Sequence, residues 1–510
     1  MKAFPLLAFW LTCVGCGFFK AAPDTEETGE PPVPDDTDGG VVPDTDDTDD
    51  TDLPQYEEPP EIHDTAAGCP YLTLAEVRSQ PLAGQSGRIE QDTSTGFTDD
   101  YLYDDSDYTK IGIRQNWGGS VIFFGLADGN PGVNSTNTID ANDPGREVQF
   151  ALYDPDRLMQ GCAHDASCRS GGTSCGNSIR YLGWNPVQGG NRCGEGSGMQ
   201  GTNHASGRLQ TATIPLQWNP DWDKTQCSTD GCTDGVTWTQ PSDVRVTQTA
   251  RFVRTHVVEL SYSVQEEGGN SHAATMQEMP TVYTANGTSG PDLWRLLDSS
   301  GAQVDINEPA NDGFFVKNFT SPAPWVSLQN DNSDYGVGIL YENGLTEFQG
   351  WQNRSMPFNN VRALFEFGLP AHSTVSARAY LLLGGFSTIE SEANWLLDNL
   401  PPFGILDGPS GGVPGPTIFI SGWAQDNRGV TKVDAIIDDW LTIPLTYGIE
   451  RADVCTTWPG YPNCSAVGFS GEFSLAQVGW QAGCDHKIEI RAEDTDGNSR
   501  IIDRGLWSVE

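Results

Sequence analysis

Beyond residue 100, apolar and polar residues alternate over much of the chain with a period of two, the spacing of a half-buried strand. The runs 251–265 (RFVRTHVVELSYSVQ) and 375–383 (VSARAYLLL) keep this alternation, and each reads as one strand. The run 121–126 (VIFFGL) is apolar throughout and follows the Gly118-Gly119 turn, as a buried strand does. The run 335–341 (YGVGILY) carries glycines that permit close backbone approach. Turn signals recur, among them Asp128-Gly129-Asn130 and Asn343-Gly344. Helix signals are few. A capping-box pattern over 73–76 predicts a short helix opening the folded part. A second, on Ser387 and Glu390, starts a helix over 387–400 with Trp395, Leu396 and Leu397 on its apolar face. The pattern predicts an all-β chain: a large antiparallel β-sandwich domain over 65–400, a boundary at Leu400-Pro401-Pro402, and a small sandwich over 401–510.

The first sixty residues follow another logic. Lys2 precedes an apolar run of about a dozen residues, the length of a signal-peptide core and too short to span a bilayer. Val14-Gly15-Cys16 then resembles the bacterial lipobox, with Cys13 where Leu is usual. That resemblance implies a signal peptide over 1–15, cleavage before Cys16, acyl chains on Cys16, and membrane attachment through that anchor alone. Ordinary secretion with Cys16 discarded is the alternative. Gly17 is not the Asp that retains many lipoproteins in the inner membrane, so the resemblance implies the bacterial outer membrane or cell surface. Residues 21–64 hold seventeen Asp or Glu and no Lys or Arg. Such a segment has little apolar surface to bury and repels itself, which predicts a disordered, extended tether over 16–64. Its aspartates could hold calcium loosely, but a solvated spacer is the plainer reading.

The formal net charge is -42, and the tether accounts for only part of it. An acidic surface of this kind repels nucleic acid and anionic lipid, so no nucleic-acid role is expected. Fifteen Trp, fourteen Tyr and twenty-one Phe, with abundant Gly and scarce Lys, fit extracellular β proteins that meet carbohydrates. Beyond Cys13 and Cys16 there are ten cysteines, an even number suited to disulfides in an oxidising compartment. Six of them (Cys162, Cys168, Cys175, Cys193, Cys227 and Cys232) lie close together, and their connectivity is open. No Cys-x-x-Cys pair or tight Cys/His spacing supports a zinc site, and no metal or other cofactor is expected.

The C-terminal segments carry a specific resemblance. Pro402-Phe403-Gly404, Leu406-Asp407-Gly408-Pro409, Ile420-Ser421-Gly422-Trp423-Ala424, Arg451-Ala452-Asp453-Val454-Cys455, Pro459-Gly460-Tyr461-Pro462-Asn463-Cys464 and Ala492-Glu493-Asp494 resemble a bacterial immunoglobulin-like module. The resemblance covers nearly all of 402–510. It implies a Cys455–Cys464 loop disulfide, a spacer or adhesive role, and no catalysis. Cys484 is an addition to the pattern, with Cys69 as a candidate partner. Asp494-Thr495-Asp496-Gly497-Asn498 alternates oxygens as an EF-hand loop does, but it lacks the downstream Glu and falls where the module has a hairpin turn.

Residues 100–400 resemble uncharacterised secreted bacterial β-rich proteins at Gly118-Gly119-Ser120-Val121, at Asp143-Pro144-Gly145-Arg146-Glu147-Val148-Gln149, at Trp184-Asn185-Pro186-Val187-Gln188-Gly189-Gly190 and at Gln277-Glu278-Met279-Pro280-Thr281-Val282-Tyr283. This implies an antiparallel sandwich and transfers no active site.

Three features suggest a glycan cleft. Arg146 and Gln149 follow a Gly turn before an apolar strand, and Arg presents a fork suited to carboxylate or vicinal hydroxyls, or else pairs with a nearby acid. Trp184-Asn185-Pro186 recurs as Trp218-Asn219-Pro220, with Trp222 close behind. In loops, these rings and amides could meet a sugar face and its hydroxyls, Asn185 and Gln188 included, or the rings could pin loops onto the core. Glu278, in a segment before a strand with His272 six residues upstream, could do acid/base work or simply be solvated. Asp331 and Asp334 could ligate calcium or shape a turn. No Gly-x-Ser-x-Gly elbow, phosphate-binding loop or HExxH helix occurs.

The function expected is binding of extracellular carbohydrate or cell-envelope glycan by the large domain of a lipid-anchored surface protein. The alternatives are a polysaccharide lyase or glycoside hydrolase using Glu278, His272 and Arg146, and a structural or adhesive protein whose indoles are core.

Overall fold

The computed structural model describes residues 68–69, 82, 84–128, 136–141, 145–153, 183–185, 197, 199–205, 207–218, 242–287, 290–307, 310–355, 357–409 and 415–509, with backbone only at 183–185 and 217–218. The helix expected over 73–76, Cys16, Gln188, Trp222 and the six clustered cysteines lie outside these residues.

The chain is all-β, as its alternation predicts. Among the described residues, twelve strands form the larger sheet. Its main path runs β1 (Ile89–Asp92), β2 (Asp99–Tyr103), β3 (Thr109–Arg114), β4 (Ser120–Leu126), β5 (Val148–Tyr153), β12 (His272–Tyr283), β18 (Phe358–Ala363), β17 (Glu347–Asn353) and β14 (Phe314–Thr320). Off this path, β19 (Phe365–Leu369) pairs with β12, and β6 (Gly183–Asn185) bridges β5 and β9 (Leu216–Trp218). The second sheet has the order β13 (Arg295–Asp298), β15 (Trp325–Gln329), β16 (Gly336–Tyr341), β20 (Thr374–Leu383), β11 (Val257–Glu266), β10 (Val244–Arg254), β8 (Arg208–Thr213) and β7 (Met199–Thr202).

Every described strand pairing is antiparallel, so each strand offers alternate residues to the inside and the outside. Phe124 of β4, Val148 and Phe150 of β5, Val361 of β18, Phe348 of β17, Leu260 of β11 and Leu381 of β20 all belong to one buried cluster between the two sheets.

The expected single strand over 251–265 is instead a hairpin. β10 ends at Arg254, β11 begins at Val257, and Thr255 and His256 form the turn. Alternation continues in phase across the turn because Phe252 and Val258, which face each other in the register, both point into the core. The pattern alone therefore reads straight through the reversal.

One helix, α1 (Phe386–Asn399), covers the outside of the second sheet with Ile389, Ala393 and Leu396. The expected capping box does not form. Gly385 is the N-cap and no side chain caps the helix, so Ser387 lies inside the first turn. A Cβ at Gly385 would stand 2.9 Å from the Asp334 Cα, which explains a glycine where a capping residue is usual.

After Leu400 the chain builds two further four-stranded sheets around a core of their own. One has the order β21 (Phe403–Gly408), β22 (Thr417–Gln425), β26 (Gly468–Ser474) and β25 (Thr446–Ile449). The other has the order β24 (Leu441–Pro444), β23 (Val430–Ile437), β27 (Asp485–Asp494) and β28 (Ser499–Ser508). Short helices α2 (Ala452–Thr457) and α3 (Leu475–Val478) interrupt them. Cys455 pairs with Cys464, and Cys69 pairs with Cys484 across 415 positions. Residues from Ile62 to Glu510 form one compact unit. Glu342 joins the two sandwiches by accepting bonds from Arg378 (2.9 Å), Tyr380 (2.7 Å) and Tyr461 (2.9 Å).

Candidate functional site

The strands β5, β12, β18, β17 and β14 turn one set of side chains into the core and the other set to the outer face of the larger sheet. Register fixes which residues are neighbours there. Gln149, Thr281, Arg362 and Gln349 form one row across the four inner strands. Tyr283, Asn360, Trp351 and Val316 form the next. Phe358, Asn353 and Phe314 follow on β18, β17 and β14.

The first row is charged and interlocked. Tyr153 donates to Glu278 Oε1 at 2.8 Å, and Arg362 Nη1 donates to the same oxygen at 3.1 Å. Arg362 Nη2 and Nε donate to Gln349 Oε1 at 2.9 and 3.2 Å, and Gln349 donates to Asn318 at 2.8 Å. Burial pushes the Glu278 carboxyl above its ordinary range, and the Arg362 cation only partly offsets this. Burial opposes the charge on Arg362, yet Glu278 and three nearby tyrosines hold it above its ordinary value. Tyr153 is raised by burial and by the Glu278 charge.

The outer rows are aromatic. Phe314 meets Trp351 edge-on at 5.4 Å and tilts against Phe358 at 5.7 Å. Phe314 and Val316 are 42 % and 52 % exposed, in a molecule that buries most of its large apolar side chains. The Arg362 guanidinium lies 5.3 Å from the Tyr153 ring and 5.6 Å from the Trp351 ring. Beside the platform, Asn360 donates to Thr281 at 3.3 Å. Three buried polar atoms on this face have no hydrogen-bond partner among the described residues: Gln149 Oε1, Asn360 Oδ1 and Trp351 Nε1. Buried polar atoms left in this state are uncommon and costly.

The expected site residues are placed as follows. Arg146 lies beside this face. Its Nη1 donates to the Pro357 carbonyl at 2.7 Å, its guanidinium is 5.6 Å from the Phe358 ring, and Asp140 is 4.0 Å away. Gln149 is buried within the first row. Glu278 is buried in the middle of β12 rather than exposed in a loop. Six residues of strand separate it from His272, roughly 20 Å, so the two do not act on one atom. Trp184 and Asn185 lie in strand β6, not in a loop, with Trp184 opposite Leu152 and Gln217. The two Trp-Asn segments meet there, because Gly183 pairs with Trp218. Sequence reasoning missed Trp351, Phe314, Phe358, Asn360 and Arg362. The alternation of 347–353 could have flagged Trp351 as facing opposite to Phe348, but not what it faces.

His272 belongs to a different cluster. Its Nε2 is 3.0 Å from Asp243 Oδ1, and donor atoms of Asp243, Glu266 and His272 lie within 4.8 Å of one another. This trio is where a cation could be held. Its carboxylates already accept bonds: Glu266 from the Asn270 N–H (3.0 Å) and the His372 N–H (2.6 Å), and Asp243 from the Asn270 amide (2.7 Å). Nearby, a cleft of about 420 Å³ runs between the β12–β19 end and α2, lined by Ser271, His272, Phe367, Cys455 and Pro459 among others. The two calcium patterns are turns. Asp494 Oδ1 accepts from the Asp496 and Asn498 backbones at 2.8 Å each, and Asp334 closes onto Asn330 at 2.6 and 3.1 Å.

No family model matches the chain, and no curated protein matches it. Solved structures similar to it include a galactose mutarotase-like protein from Clostridium acetobutylicum, with 7 % identity, TM-score 0.35, and coverage of 59 % of this chain and 99 % of that one. A protein from Escherichia coli K12 described as a putative aldose 1-epimerase has 9 % identity, TM-score 0.33, and coverage of 55 % and 97 %. A polysaccharide lyase has 10 % identity, TM-score 0.25, and coverage of 79 % and 46 %. At these scores the likenesses carry no argument, and the all-β architecture stands on the strand pairing itself.

Proposed function

We infer that this chain binds carbohydrate on the outer face of its larger sheet, around Trp351. The observation that carries the reading is the Phe314–Trp351–Phe358 platform, exposed at Phe314 and half-buried at Trp351 and Phe358, with buried, unpartnered amide and indole atoms beside it. Aromatic faces take the C–H side of a sugar ring, and flanking amides take its hydroxyls. A glycan-array screen of the full chain should show retention that Trp351→Ala weakens at least about tenfold while the fold, followed by circular dichroism, persists. Unchanged retention in that variant rejects the location.

A second reading, a polysaccharide lyase or glycoside hydrolase, is favoured by one observation. Glu278 is a carboxyl raised by burial, with a tyrosine hydroxyl and an arginine on it. Raised carboxyls serve as proton donors near neutral pH. Glu278→Gln keeps an acceptor for Tyr153 but has no acidic proton to transfer, so it should abolish turnover of any polysaccharide the wild type degrades. Retained turnover removes Glu278 from that role.

Our reading of the N-terminus is export and lipid attachment at Cys16, with the immunoglobulin-like module as a spacer and the outer membrane as the destination. Two disulfides among the described residues support an oxidising compartment. Expression in a bacterium fed labelled palmitate should label the wild type and leave Cys16→Ser unlabelled. An unlabelled wild type rejects the anchor.

A further inference from the structure

We propose that Asp243, Glu266 and His272 form a binding site for a divalent transition-metal ion of the zinc kind. The site is independent of the carbohydrate reading and stands apart from the Trp351 face: β12 opens at His272 and carries Thr281 and Tyr283 at its other end. Three strand ends converge on it. Asp243 immediately precedes β10, Glu266 closes β11 and His272 opens β12. The turn between β11 and β12 takes the chain from the second sheet to the larger one, so an ion here ties the two sheets together. Gly268 lets that turn lie on Asp243, since a Cβ there would stand 2.5 Å from the Asp243 Cβ. No sequence spacing announces the trio, because positions 243, 266 and 272 meet only through strand pairing.

The donor atoms of the trio lie within 4.8 Å of one another, and His272 Nε2 is 3.0 Å from Asp243 Oδ1. Ligands of a zinc-class ion stand about 2 Å from it, and so about 3–3.5 Å from each other. A small closing movement brings the trio to that arrangement. Both carboxylates keep acceptor capacity for it, since each offers about four lone-pair positions. Asp243 uses two of its positions, on His272 and on the Asn270 amide (2.7 Å). Glu266 uses three, on the backbone N–H groups of Gly268, Asn270 and His372. These bonds orient the carboxylates, as outer partners do at metal sites. The ion takes the place of the hydrogen between His272 Nε2 and Asp243 Oδ1, and the neutral imidazole then keeps its hydrogen on Nδ1.

Charge favours a cation too. Among the described residues, neither Asp243 nor Glu266 forms an ion pair with a Lys or Arg, and Asp243 has only His272. Two carboxylates this close repel each other, and a cation between them removes that cost. The imidazole nitrogen selects the metal: nitrogen suits zinc and its neighbours, whereas Ca²⁺ and Mg²⁺ take oxygen ligands. The Asp243 and His272 side chains keep 17 % and 10 % of their surface exposed, and His272 also lines the cleft of about 420 Å³, which gives an ion its approach.

The test uses the full chain with its disulfides intact, stripped with EDTA and titrated calorimetrically with Zn²⁺ alone at physiological salt. The expected result is saturable binding that excess Ca²⁺ or Mg²⁺ does not displace, with a higher midpoint of thermal unfolding. His272→Gln and Asp243→Asn should each weaken Zn²⁺ binding at least about tenfold, the loss that even an outer partner of a metal ligand causes when removed. Each should also lose most of the Zn²⁺-dependent rise in midpoint, whatever it does to the stripped protein. Should one variant misfold, the other reads the same site. Absence of Zn²⁺ binding overturns the proposal. Displacement by Ca²⁺ or Mg²⁺ overturns the metal class. Binding and a midpoint rise that persist in the folded variants put the ion elsewhere on the chain and overturn the assignment to this trio.

Discussion

At the scale of single residues, the informative groups are buried polar ones whose surroundings set their charge. Asp426 illustrates the sign of such effects. Burial pushes its carboxyl up to about 7, and the nearby acids Asp494 and Glu342 push in the same direction. Its Oδ1 accepts from the backbones of Arg428 (2.7 Å) and Gly429 (3.2 Å), which lowers it only in part. The folded value lies above the unfolded one, so the folded state holds the proton more tightly. Below about pH 4 both states are protonated and this group takes nothing from stability. Between about pH 4 and 7 the unfolded chain ionises first, and stability falls by roughly 1.4 kcal/mol per pH unit from this group. Asn can accept the same two backbone bonds without a charge. Asp426→Asn should therefore gain stability relative to wild type as pH rises over that window, read as a growing difference in urea midpoint. A difference that stays constant with pH would show an ordinary, ionised aspartate.

At the scale of elements, close approach decides what packs where. Helix α1 lies on the second sheet over Gly338, where a Cβ would stand 2.6 Å from Ile389 Cγ2. The glycines of β16 were readable as sites of close backbone approach; the helix that takes the space at Gly338 was not. Gly338→Ala should destabilise the fold by about 1–3 kcal/mol through overpacking. In an Ile389→Ala background the same Gly338→Ala change should cost less, since the Cγ2 methyl that the new Cβ meets is then gone. Strictly additive effects in denaturant unfolding would show that the two positions do not touch. The β10–β11 hairpin teaches the complementary lesson. Its turn, Thr255-His256, contains no Gly, Pro, Asn or Asp, so nothing local announced the reversal.

At the scale of the whole molecule, two sandwiches share one compact unit, tied by contacts distant in sequence. The Cys69–Cys484 bond links the start of the described chain to the last two-sheet unit. Glu342, at the end of β16, receives a hydroxyl from Tyr461 of the following sandwich. Asn343 beside it donates to the Pro459 carbonyl at 3.2 Å. The candidate glycan face lies on the other sheet of the large sandwich. It is assembled from five strands drawn from residues 148 to 363.

What the amino-acid order determined alone was local. Period-two alternation made the chain all-β and marked the strand at 375–383, because facing in or out depends only on neighbours along the strand, and an apolar run and a glycine-bearing run marked those at 121–126 and 335–341. The Gly118-Gly119 and Asn343-Gly344 turns and the helix near 387–400 belong to the same class. What only the tertiary structure decided was adjacency across strands. Tyr153, Glu278 and Arg362 meet over separations of 125 and 84 positions, and Trp351 acquires its platform from Phe314 and Phe358 on two other strands. Alternation tells each residue its face but not its neighbours on that face. Those depend on which strands pair and in what register, and long-range burial sets both.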